Sequence, residues 1–341
     1  MKSFYKLALA AAAAMTFASC SSDEAYEFAY LYEDLPFEME QVQRPQIPER
    51  EVNIVDFGGV GDGVTLNSDA FAEAIDALSQ QGGGKVIVPT GVWLTGPITL
   101  KDNIELHIKP DAVLLFSTDR DLYPIVETVF EGLDTKRCIS PINAVGAKNI
   151  AITGGGTIDG NGDSWRQVKK SKIAPSQWKA LLKSGGFTNE KGDLWYPDST
   201  SYRGAVVSDA FNVPQGLTTE AEWESVKTYL RPVMISFKDC ENVLMEDCLF
   251  QNSPCWNIHP LMCKNVIINN SYTTFSTLAP SADEAAVLSV EACYVGSSVT
   301  NAVNQAAIDA ITLAAHAHQY ENKCATTCSI TGCVATRKSG H

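Results

Sequence analysis

The stretch NVLMEDCLFQNSPCWNIHPLMCKNVIINN, residues 242–270, contains one short pattern twice. In each copy an asparagine opens a run of aliphatic residues, and the two asparagines are 23 positions apart. The same opening also occurs earlier in the chain, so that the repeat units begin at Asn103-Ile104, Asn149-Ile150, Asn242-Val243 and Asn265-Val266. A period in the low twenties is too short for a pair of helices and suits one coil of a parallel β-helix.

Stacked coils place equivalent side chains above one another, so these asparagines are predicted to form a ladder through the turns. The first two asparagines are 46 positions apart, which is twice the step between the last two. A leucine-rich repeat has a similar period, but its framework of leucines is missing here.

The residues before the repeat predict how the stack begins. A glycine-rich turn at 58–63 is followed by Phe71, Ile75 and Leu78, which share one helical face, and the glycines at 82–84 end that helix. The stretches KVIVP and VWLTG, which follow the helix, have the alternating pattern of β-strands. The glycine-rich turn lacks both the Lys-Ser/Thr of a phosphate loop and GxGxxG spacing, which argues against a nucleotide site.

A long insertion at about residues 161–229 separates the second and third repeat units. It is rich in tryptophan and contains two predicted short helices, PSQWKALLKS and TTEAEWESVKTYL. Such an insertion is expected to lie over one lateral face of a solenoid and to shape a binding cleft. Lys169, Lys170 and Lys172 form a basic run that is a candidate binding site for an anionic ligand, the alternative being a solvated charged surface.

The N-terminal residues have the features of an export signal. Lys2 and Lys6 precede an apolar run that ends in FASC, which resembles a bacterial lipobox. We therefore expect residues 1–20 to be a lipoprotein signal peptide, Cys20 to carry the lipid anchor, and residues 21–50 to form an acidic linker. The expected location is the bacterial cell envelope, at the outer membrane or the cell surface.

The overall charge limits the partners of this chain. A formal net charge of −14 argues against nucleic-acid binding, because a polyanion would be repelled. An acidic polysaccharide would need a local cluster of basic residues. The apolar content of 45% and the charged content of 19% are typical of a globular protein.

The ten cysteines do not indicate a disulfide framework. Four of them lie in strand-like stretches, where small buried thiols are common: Cys240, Cys248, Cys255 and Cys263. Cys324, Cys328 and Cys333 loosely suggest a metal site, but no fourth ligand stands at zinc-finger spacing. No metal site is therefore predicted.

Several stretches in order resemble a known family. FGGVGDGVTLNSDAFAEAIDAL and GGGKVIVPTGVWLTGPITLKDNIELHI resemble the start of pectin-degrading β-helix enzymes. GGGTIDGNGDSWR and RPVMISFKDCENVLMEDCLFQNSPCWNIHPLMCKNVIINN are similar to glycoside hydrolase family 28, the polygalacturonases and their relatives. The resemblance covers about residues 51–270. It implies an all-β, right-handed, single-stranded parallel β-helix of the pectin-lyase-like class, with an N-terminal capping helix.

The resemblance also implies a chemistry. Polygalacturonases hydrolyse α-linked galacturonic acid in pectin with inversion, one carboxyl group acting as acid and another activating water. No metal and no cofactor are implied, and the expected partner is an acidic plant polysaccharide. In the family, the coil after SPxWxIHP leads into Asn-x-Asp, Gly-Asp-Asp, Gly-His-Gly and Arg-x-Lys motifs. None of these follows here, so no catalytic residue is assigned.

Residues 271–341 differ in composition from the repeat, because they are rich in Ala, Ser and Thr. We expect a truncated β-helix whose atypical tail is frameshifted or disordered. Trp256 and His259, which lie just ahead of the repeat unit at Asn265, are the candidate contacts with a sugar.

The sequence is compatible with two functions. The first is a polygalacturonase-type glycoside hydrolase, favoured by the resemblance. The second is a non-catalytic carbohydrate-binding surface lipoprotein or degenerate remnant, favoured for this chain acting alone because the acidic motifs are missing. A lyase on a similar fold would need a calcium site of clustered carboxylates and an arginine base, and the motifs favour the hydrolase over it.

Overall fold

The chain forms a stack of coils in which short strands alternate with tight corners. The computed structural model of the protein describes residues 29, 33, 41–130, 132–208, 212–274, 287–295 and 327–330. The strands are β1 (Glu51–Asn53), β2 (Gly84–Val88), β3 (Gly91–Thr95), β4 (Ile98–Thr99), β5 (Ile104–Ile108), β6 (Ala112–Phe116), β7 (Ile125–Phe130), β8 (Leu133–Cys138), β9 (Ile142–Val145), β10 (Lys148–Thr153), β11 (Thr157–Asp159), β12 (Val168–Lys169), β13 (Phe187–Thr188), β14 (Leu194–Tyr196), β15 (Ile235–Lys238), β16 (Glu241–Glu246), β17 (Leu249–Gln251), β18 (Ile258–Leu261), β19 (Lys264–Thr274), β20 (Val287–Val295) and β21 (Thr327–Ile330). The α-helices are α1 (Ser68–Ser79), α2 (Pro175–Lys183), α3 (Ser199–Val207) and α4 (Glu220–Glu224).

Parallel pairing between coils builds three faces, which we call sheets 1, 2 and 3. Sheet 1 stacks β1, β2, β5, β10, β16 and the first part of β19. Sheet 2 stacks β3, β6, β11, β17 and the last part of β19. Sheet 3 stacks β4, β9, β15 and β18. β20 pairs antiparallel with β19, and β21 pairs parallel with β20. The parallel β-helix predicted from the repeat is confirmed.

Alternation along each strand produces the core. In β5, Ile104, Leu106 and Ile108 are fully buried, whereas Glu105 and His107 between them are partly exposed. Equivalent inward positions on all three sheets join one continuous apolar cluster through the centre of the stack. Because the side-chain period is 2, the register that buries the core also fixes which residues face outward.

A ladder of asparagine side chains holds four coils in register. The Nδ2 atom of Asn149 donates to Oδ1 of Asn103 at 2.8 Å, Asn242 donates to Asn149 at 2.9 Å, and Asn265 donates to Asn242 at 2.9 Å. All four residues have φ between 54° and 59°, in the left-handed region. Asparagine tolerates this backbone better than most residues and carries both a donor and an acceptor, so it suits the position on both counts. The predicted ladder is confirmed.

The 46-residue step needs a correction. Asn149 bonds directly to Asn103, so a single coil separates them and not two. The additional length is an excursion between β6 and β9 that contains the antiparallel hairpin β7–β8. The sequence spacing suggested two coils because the excursion happens to be about one coil long.

The predicted capping helix is present as α1. Its buried residues Phe71, Ala74, Ile75 and Leu78 belong to the central apolar cluster, and the helix packs against strands of the first coils. It thereby covers apolar side chains that the first coil would otherwise expose at the start of the stack.

Two excursions leave the stack at the same corner, between sheets 2 and 3. The first holds the hairpin β7–β8, and the second runs from β11 to β15. The second contains α2, α3, α4 and a small antiparallel sheet of β12, β14 and β13. Both helices predicted in the insertion are present, although the second is shorter than its sequence pattern and continues as a 3₁₀ turn at Lys227–Tyr229. The strands β12 to β14 and helix α3 were not predicted.

A segment before β1, residues 41–50, lies against the outer face of sheet 1. Arg44 makes a bidentate pair with Glu246 on β16, with Nη2 to Oε1 at 2.7 Å and Nη1 to Oε2 at 3.0 Å. Arg50 donates from Nη1 to the carbonyl of Gly83 at 2.7 Å, and Val42 is buried. We call this segment the strap, because it ties the first coil to a coil near the other end of the described stack.

Five described cysteines are free: Cys138, Cys240, Cys248, Cys255 and Cys263. All of them are buried except Cys255, which is partly exposed. Burial is as expected at three of the four predicted positions, but all four lie at corners between strands and not in strands. Cys324 and Cys333 lie outside the described residues. No helix in the described ranges is long and apolar enough to cross a membrane.

The ladder predicts a large loss of stability at its centre. Replacing Asn149 by alanine removes a hydrogen bond on each side and places a Cβ-bearing residue without a stabilising side chain at positive φ. We expect N149A to lower the free energy of unfolding by about 3 kcal/mol, and N149G by about 2 kcal/mol because glycine accepts the backbone angle. Urea unfolding followed by circular dichroism measures both. Equal urea midpoints for N149A and the wild type would show that the ladder does not stabilise the fold.

The strap predicts a pH dependence. Burial raises the pKa of Glu246, but hydrogen bonds from Arg44 and Asn269 outweigh burial and leave this pKa below its ordinary value of 4.5. The carboxylate therefore stabilises the folded chain fully above about 4.5, and this contribution is lost as the pH falls through the lowered pKa. We expect the unfolding temperature of the wild type to be higher than that of E246Q at neutral pH. The two unfolding temperatures should become equal in acid.

A control lies on the same strand. Glu241 pairs with Lys148 at 3.0 Å at the surface, where solvent weakens the ion pair. E241Q should therefore change the unfolding temperature less than E246Q does. If both variants behave alike at every pH, the strap contributes no more than an ordinary surface contact.

Candidate functional site

The outer face of sheet 3 carries a row of polar side chains. The register aligns His259 on β18 with Ser236 on β15, Ser236 with Asn143 on β9, and Asn143 with Thr99 on β4. Their inward neighbours, such as Ile235, are buried, so this row faces outward. The Oγ1 of Thr99 donates to Oδ1 of Asn143 at 3.0 Å. The row leads along the stack to His259.

Beside this row, four side chains form what we call the aromatic stack: Arg137, Phe130, Trp256 and His259. The rings of Phe130 and Trp256 are stacked, with centroids 4.4 Å apart and planes 15° from parallel. Trp256 meets the imidazole of His259 edge-on at 5.3 Å. The guanidinium carbon of Arg137 lies 3.7 Å from the centroid of Phe130 on its ring face. Trp256 remains 38% exposed, so the stack presents an aromatic surface to solvent.

Two different parts of the chain meet in this stack. Phe130 and Arg137 lie on the hairpin β7–β8, where they share one face. Trp256 lies on the corner between β17 and β18, and its carbonyl accepts from the backbone N–H of Met234 at 3.0 Å. The amide of Asn257 donates to the carbonyl of Phe250 at 3.1 Å. These two hydrogen bonds, one accepted by the Trp256 carbonyl and one donated by the side chain of the next residue, hold this corner in place.

The start of the long excursion supports the same corner. A Cβ on Gly162 would come within 2.3 Å of the backbone carbonyl carbon of Ser253, so only glycine permits this close approach. Oδ1 of Asp159 accepts from the backbone N–H of Asn161 at 2.8 Å, which is a turn interaction, and Oδ2 accepts from Gln251 and Asn252. Asp159 thus acts as a corner residue, locking β11 to the coil that carries Trp256.

Arg137 is an almost fully buried cation, at 3% exposure. Its Nε donates to the carbonyl of Arg231 at 2.8 Å, and its Nη1 reaches the carbonyl of Asn212 at 3.5 Å. Burial lowers the pKa of Arg137 to about 10, so the side chain stays charged at neutral pH. Its carbonyl contacts and the face of Phe130 compensate part of the desolvation cost.

His259 is half-buried, and this burial lowers the pKa of the imidazole below its ordinary value of 6.5. The ring is therefore neutral at neutral pH, with one nitrogen able to donate and the other able to accept a hydrogen bond. A neutral imidazole next to an exposed indole is suited to hydroxyl groups on a ligand that rests against the ring.

The predicted lysines lie elsewhere. Lys169 is on β12, and Lys170 and Lys172 are in the 3₁₀ turn that follows it. The ammonium of Lys170 lies 6.0 Å from the ring of Trp178, within the long excursion. Trp256 and His259 are thus in contact with each other, whereas the three lysines lie on the long excursion. Cys20, the predicted lipid anchor, lies outside the described residues.

The tryptophans of the insertion divide by role. Trp165, Trp178 and Trp195 are buried and anchor the excursion, whereas Trp223 on α4 is partly exposed. Phe130 and Arg137 were not predicted as site residues. The alternation of residues 125–138 around Glu131-Gly132 is a hairpin signal, but nothing local to it indicates contact with a corner more than 110 positions away.

This arrangement is suited to binding sugars. An exposed aromatic face stacks on a pyranose ring, and the polar row offers hydrogen-bond partners to its hydroxyl groups. Inverting hydrolysis needs in addition a carboxyl acid and a carboxylate base on opposite sides of the bond. The four strands of sheet 3 that the structure describes contain no Asp or Glu.

Comparison with known proteins agrees with this geometry. No family model matches the chain. A Vitis vinifera protein described as "Probable polygalacturonase" is 28% identical over 257 residues, covering 71% of this chain and 42% of that protein. An exo-poly-alpha-D-galacturonosidase from Dickeya chrysanthemi is 28% identical over 231 residues, covering 64% of this chain and 35% of that protein.

A solved structure matches as well. The hyperthermoactive exopolygalacturonase from Thermotoga maritima superposes with a TM-score of 0.51 and 37% identity, covering 72% of this chain and 51% of that one. The chain therefore spans about half or less of the length of these relatives. Over the 64–71% of its residues aligned with the curated relatives, this chain is a homologue of the polygalacturonases of glycoside hydrolase family 28 and shares their right-handed parallel β-helix.

Proposed function

We propose that this chain binds galacturonan on the outer face of sheet 3 and is a glycoside hydrolase of the polygalacturonase type. The observation that carries the proposal is the aromatic stack: an exposed indole, backed by Phe130 and Arg137 and flanked by His259. It lies on an ordered β-helix homologous to enzymes named for their action on galacturonic-acid polymers. An aromatic platform among polar groups binds the faces and hydroxyl groups of sugar rings.

In this proposal the described coils supply substrate binding and positioning. Trp256 stacks on a sugar ring, His259 bonds a hydroxyl group, and the row from Ser236 to Thr99 offers further polar partners. Bond cleavage requires an acid to protonate the leaving oxygen and a base to activate water. The acidic motifs that perform these steps in the family are not found in the sequence after residue 270.

The absence of these acidic motifs from the sequence favours a second function. Because the outer face of sheet 3 has no carboxyl group in its described strands, this chain acting alone fits a non-catalytic carbohydrate-binding protein. The two functions share the binding surface and differ in turnover. One protein preparation and two measurements therefore separate them.

Export and lipid anchoring are part of the proposal. The basic n-region, the apolar run and FASC support a lipid-anchored protein at the bacterial cell envelope, with Cys20 as the modified residue. An extracellular polysaccharide substrate is consistent with that location.

Binding at the stack is tested with W256A. Removing the indole should weaken binding of polygalacturonate by at least about tenfold, because stacked aromatic contacts contribute about 1 kcal/mol or more beyond their buried area. Affinity electrophoresis or calorimetry measures the effect. F187A is the matched control, since Phe187 is also an exposed aromatic residue but lies on β13 in the excursion. Loss of binding in F187A with retention in W256A would place the sugar elsewhere.

Turnover is tested on the same samples. Release of new reducing ends from polygalacturonate by the wild type, abolished or reduced in W256A, supports the hydrolase. Binding without release of reducing ends supports the non-catalytic alternative. A wild type that neither binds nor cleaves polygalacturonate would reject both.

Lipidation is tested with C20S in the full chain. We expect wild type expressed in a Gram-negative host to incorporate radiolabelled fatty acid and to fractionate with membranes, because acyl chains hold it there. C20S should lose the label and leave the membrane fraction. Equal labelling of both proteins would show that another site, or none, is modified.

A further inference from the structure

Two cysteines lie directly above one another at the corner between sheets 3 and 1. The coils that carry them are offset by 23 residues on both sides of this corner, and Glu241 is aligned with Lys264 where sheet 1 begins. Cys240 and Cys263 directly precede these two residues, so they occupy equivalent positions on neighbouring coils. The backbone N–H of Lys264 donates to the carbonyl of Cys240 at 2.8 Å. Neighbouring strands are about 4.8 Å apart, which is within the range of about 4.4–6.8 Å between the Cα atoms of a disulfide.

Both side chains enter the core, where their thiols are in contact. Cys240 is 1% exposed and Cys263 is 5% exposed, and both belong to the central apolar cluster. The two thiols are hydrogen-bonded to each other. The Sγ atom of Cys263 also lies 3.2 Å from the carbonyl oxygen of Phe237, on the coil that carries Cys240. Two sulfur atoms that are already neighbours need only a change in side-chain torsion angles to approach bonding distance.

Among the five described cysteines, only this pair is aligned across two coils. Cys248 is also buried at a corner, but the register places it between Gly156 and Ser271. Cys138 lies on the hairpin β7–β8, and Cys255 is partly exposed. A cysteine buried in this fold therefore does not by itself acquire a cysteine partner.

The contact between the two thiols makes one of them the better nucleophile. The hydrogen bond from Cys263 lowers the pKa of Cys240 below its ordinary value of 9.0, and the same contact raises the pKa of Cys263. Disulfide exchange proceeds through the thiolate, so Cys240 is the thiol that attacks first.

We propose that Cys240 and Cys263 form a disulfide when the chain meets a small-molecule disulfide such as oxidised glutathione. The bond joins the coil of β15 and β16 to the coil of β18 and β19. Because the two cysteines are 23 positions apart, it closes a loop, reduces the entropy of the unfolded chain and stabilises these two coils. The inference concerns the scaffold and is independent of the proposed sugar binding.

The reaction balances as two thiol–disulfide exchanges. The Cys240 thiolate attacks the oxidant, forms a mixed disulfide and releases one thiol. The Cys263 thiol then loses its proton and attacks the Cys240 sulfur, which forms the new S–S bond and releases the second thiol. The two cysteines lose two electrons and two protons, and the oxidant takes up both as it becomes two thiols.

The test maps disulfides in the full wild-type chain by mass spectrometry. The protein is incubated in its native state and, in parallel, refolded from urea, each time with a mixture of reduced and oxidised glutathione. Free thiols are alkylated before proteolysis. We expect a cross-linked peptide pair that contains Cys240 and Cys263 and that disappears when a phosphine reductant is added before alkylation. Unlinked cysteines in both preparations, or linkage of either one to a different cysteine, would overturn the proposal.

Thermal unfolding with and without the reductant measures the effect of the bond. We expect the oxidised wild type to unfold about 5 °C or more above the reduced wild type. The reductant should leave the unfolding temperatures of C240A and C263A unchanged. Alanine is accommodated at this corner, because the buried Ala147 occupies the equivalent position on the preceding coil.

C248S is the matched control, because Cys248 is a buried corner cysteine and Ser271 occupies the equivalent position on the next coil. This variant should respond to the reductant as the wild type does. If C240A and C263A also respond as strongly as the wild type, the stabilising bond lies elsewhere and the proposal is wrong. Equal unfolding temperatures of the oxidised and reduced wild type would reject the stabilising role even where the cross-link is found.

Discussion

Amide-to-amide hydrogen bonding between successive coils is the interaction on which the rest of this structure depends. Asn149 and Asn242 each donate to one neighbouring coil and accept from the other, and all four asparagines of the ladder have positive φ. Few side chains meet both requirements, which is why the residue recurs while the sequence around it varies. The ladder fixes strand register, and register decides which side chains enter the core. Everything on the outer faces, including the alignment of His259 with Ser236, follows from that choice.

The candidate binding surface combines regular and irregular parts of the chain. The coils supply a rigid row of outward positions, and the two excursions supply the walls. Because both excursions leave at the corner between sheets 2 and 3, they rise on the same side of the stack and meet the corner that carries Trp256. Chemistry carried by loops on a stable scaffold is the usual arrangement in enzymes and binding proteins. Here the hairpin, and not a coil, contributes the buried cation Arg137 and the aromatic ring of Phe130.

What the sequence predicted depended on whether the signal was local or periodic. The asparagine openings and the helical face of Phe71, Ile75 and Leu78 could be predicted because each repeats at a fixed interval. The packing of Phe130 on Trp256 could not be predicted, because the two residues are far apart in the chain and no local pattern encodes the direction of the hairpin. The step from Asn103 to Asn149 misled because an excursion of about one coil's length imitates a coil. Trp256 and His259 were predicted as site residues from the sequence, whereas Phe130 and Arg137, which pack beside them, were not.

The strap alters how this fold must come apart. In a solenoid, contacts join only neighbouring units, so the ends can fray independently of the middle. Arg44 and Glu246, however, are 202 positions apart in sequence and their pairing bridges several coils. Forming this contact requires the intervening coils to be folded, because they set the distance between Arg44 and Glu246. The strap therefore joins coils that are not neighbours, so that unfolding of the first coil is coupled to the coil that contains β16.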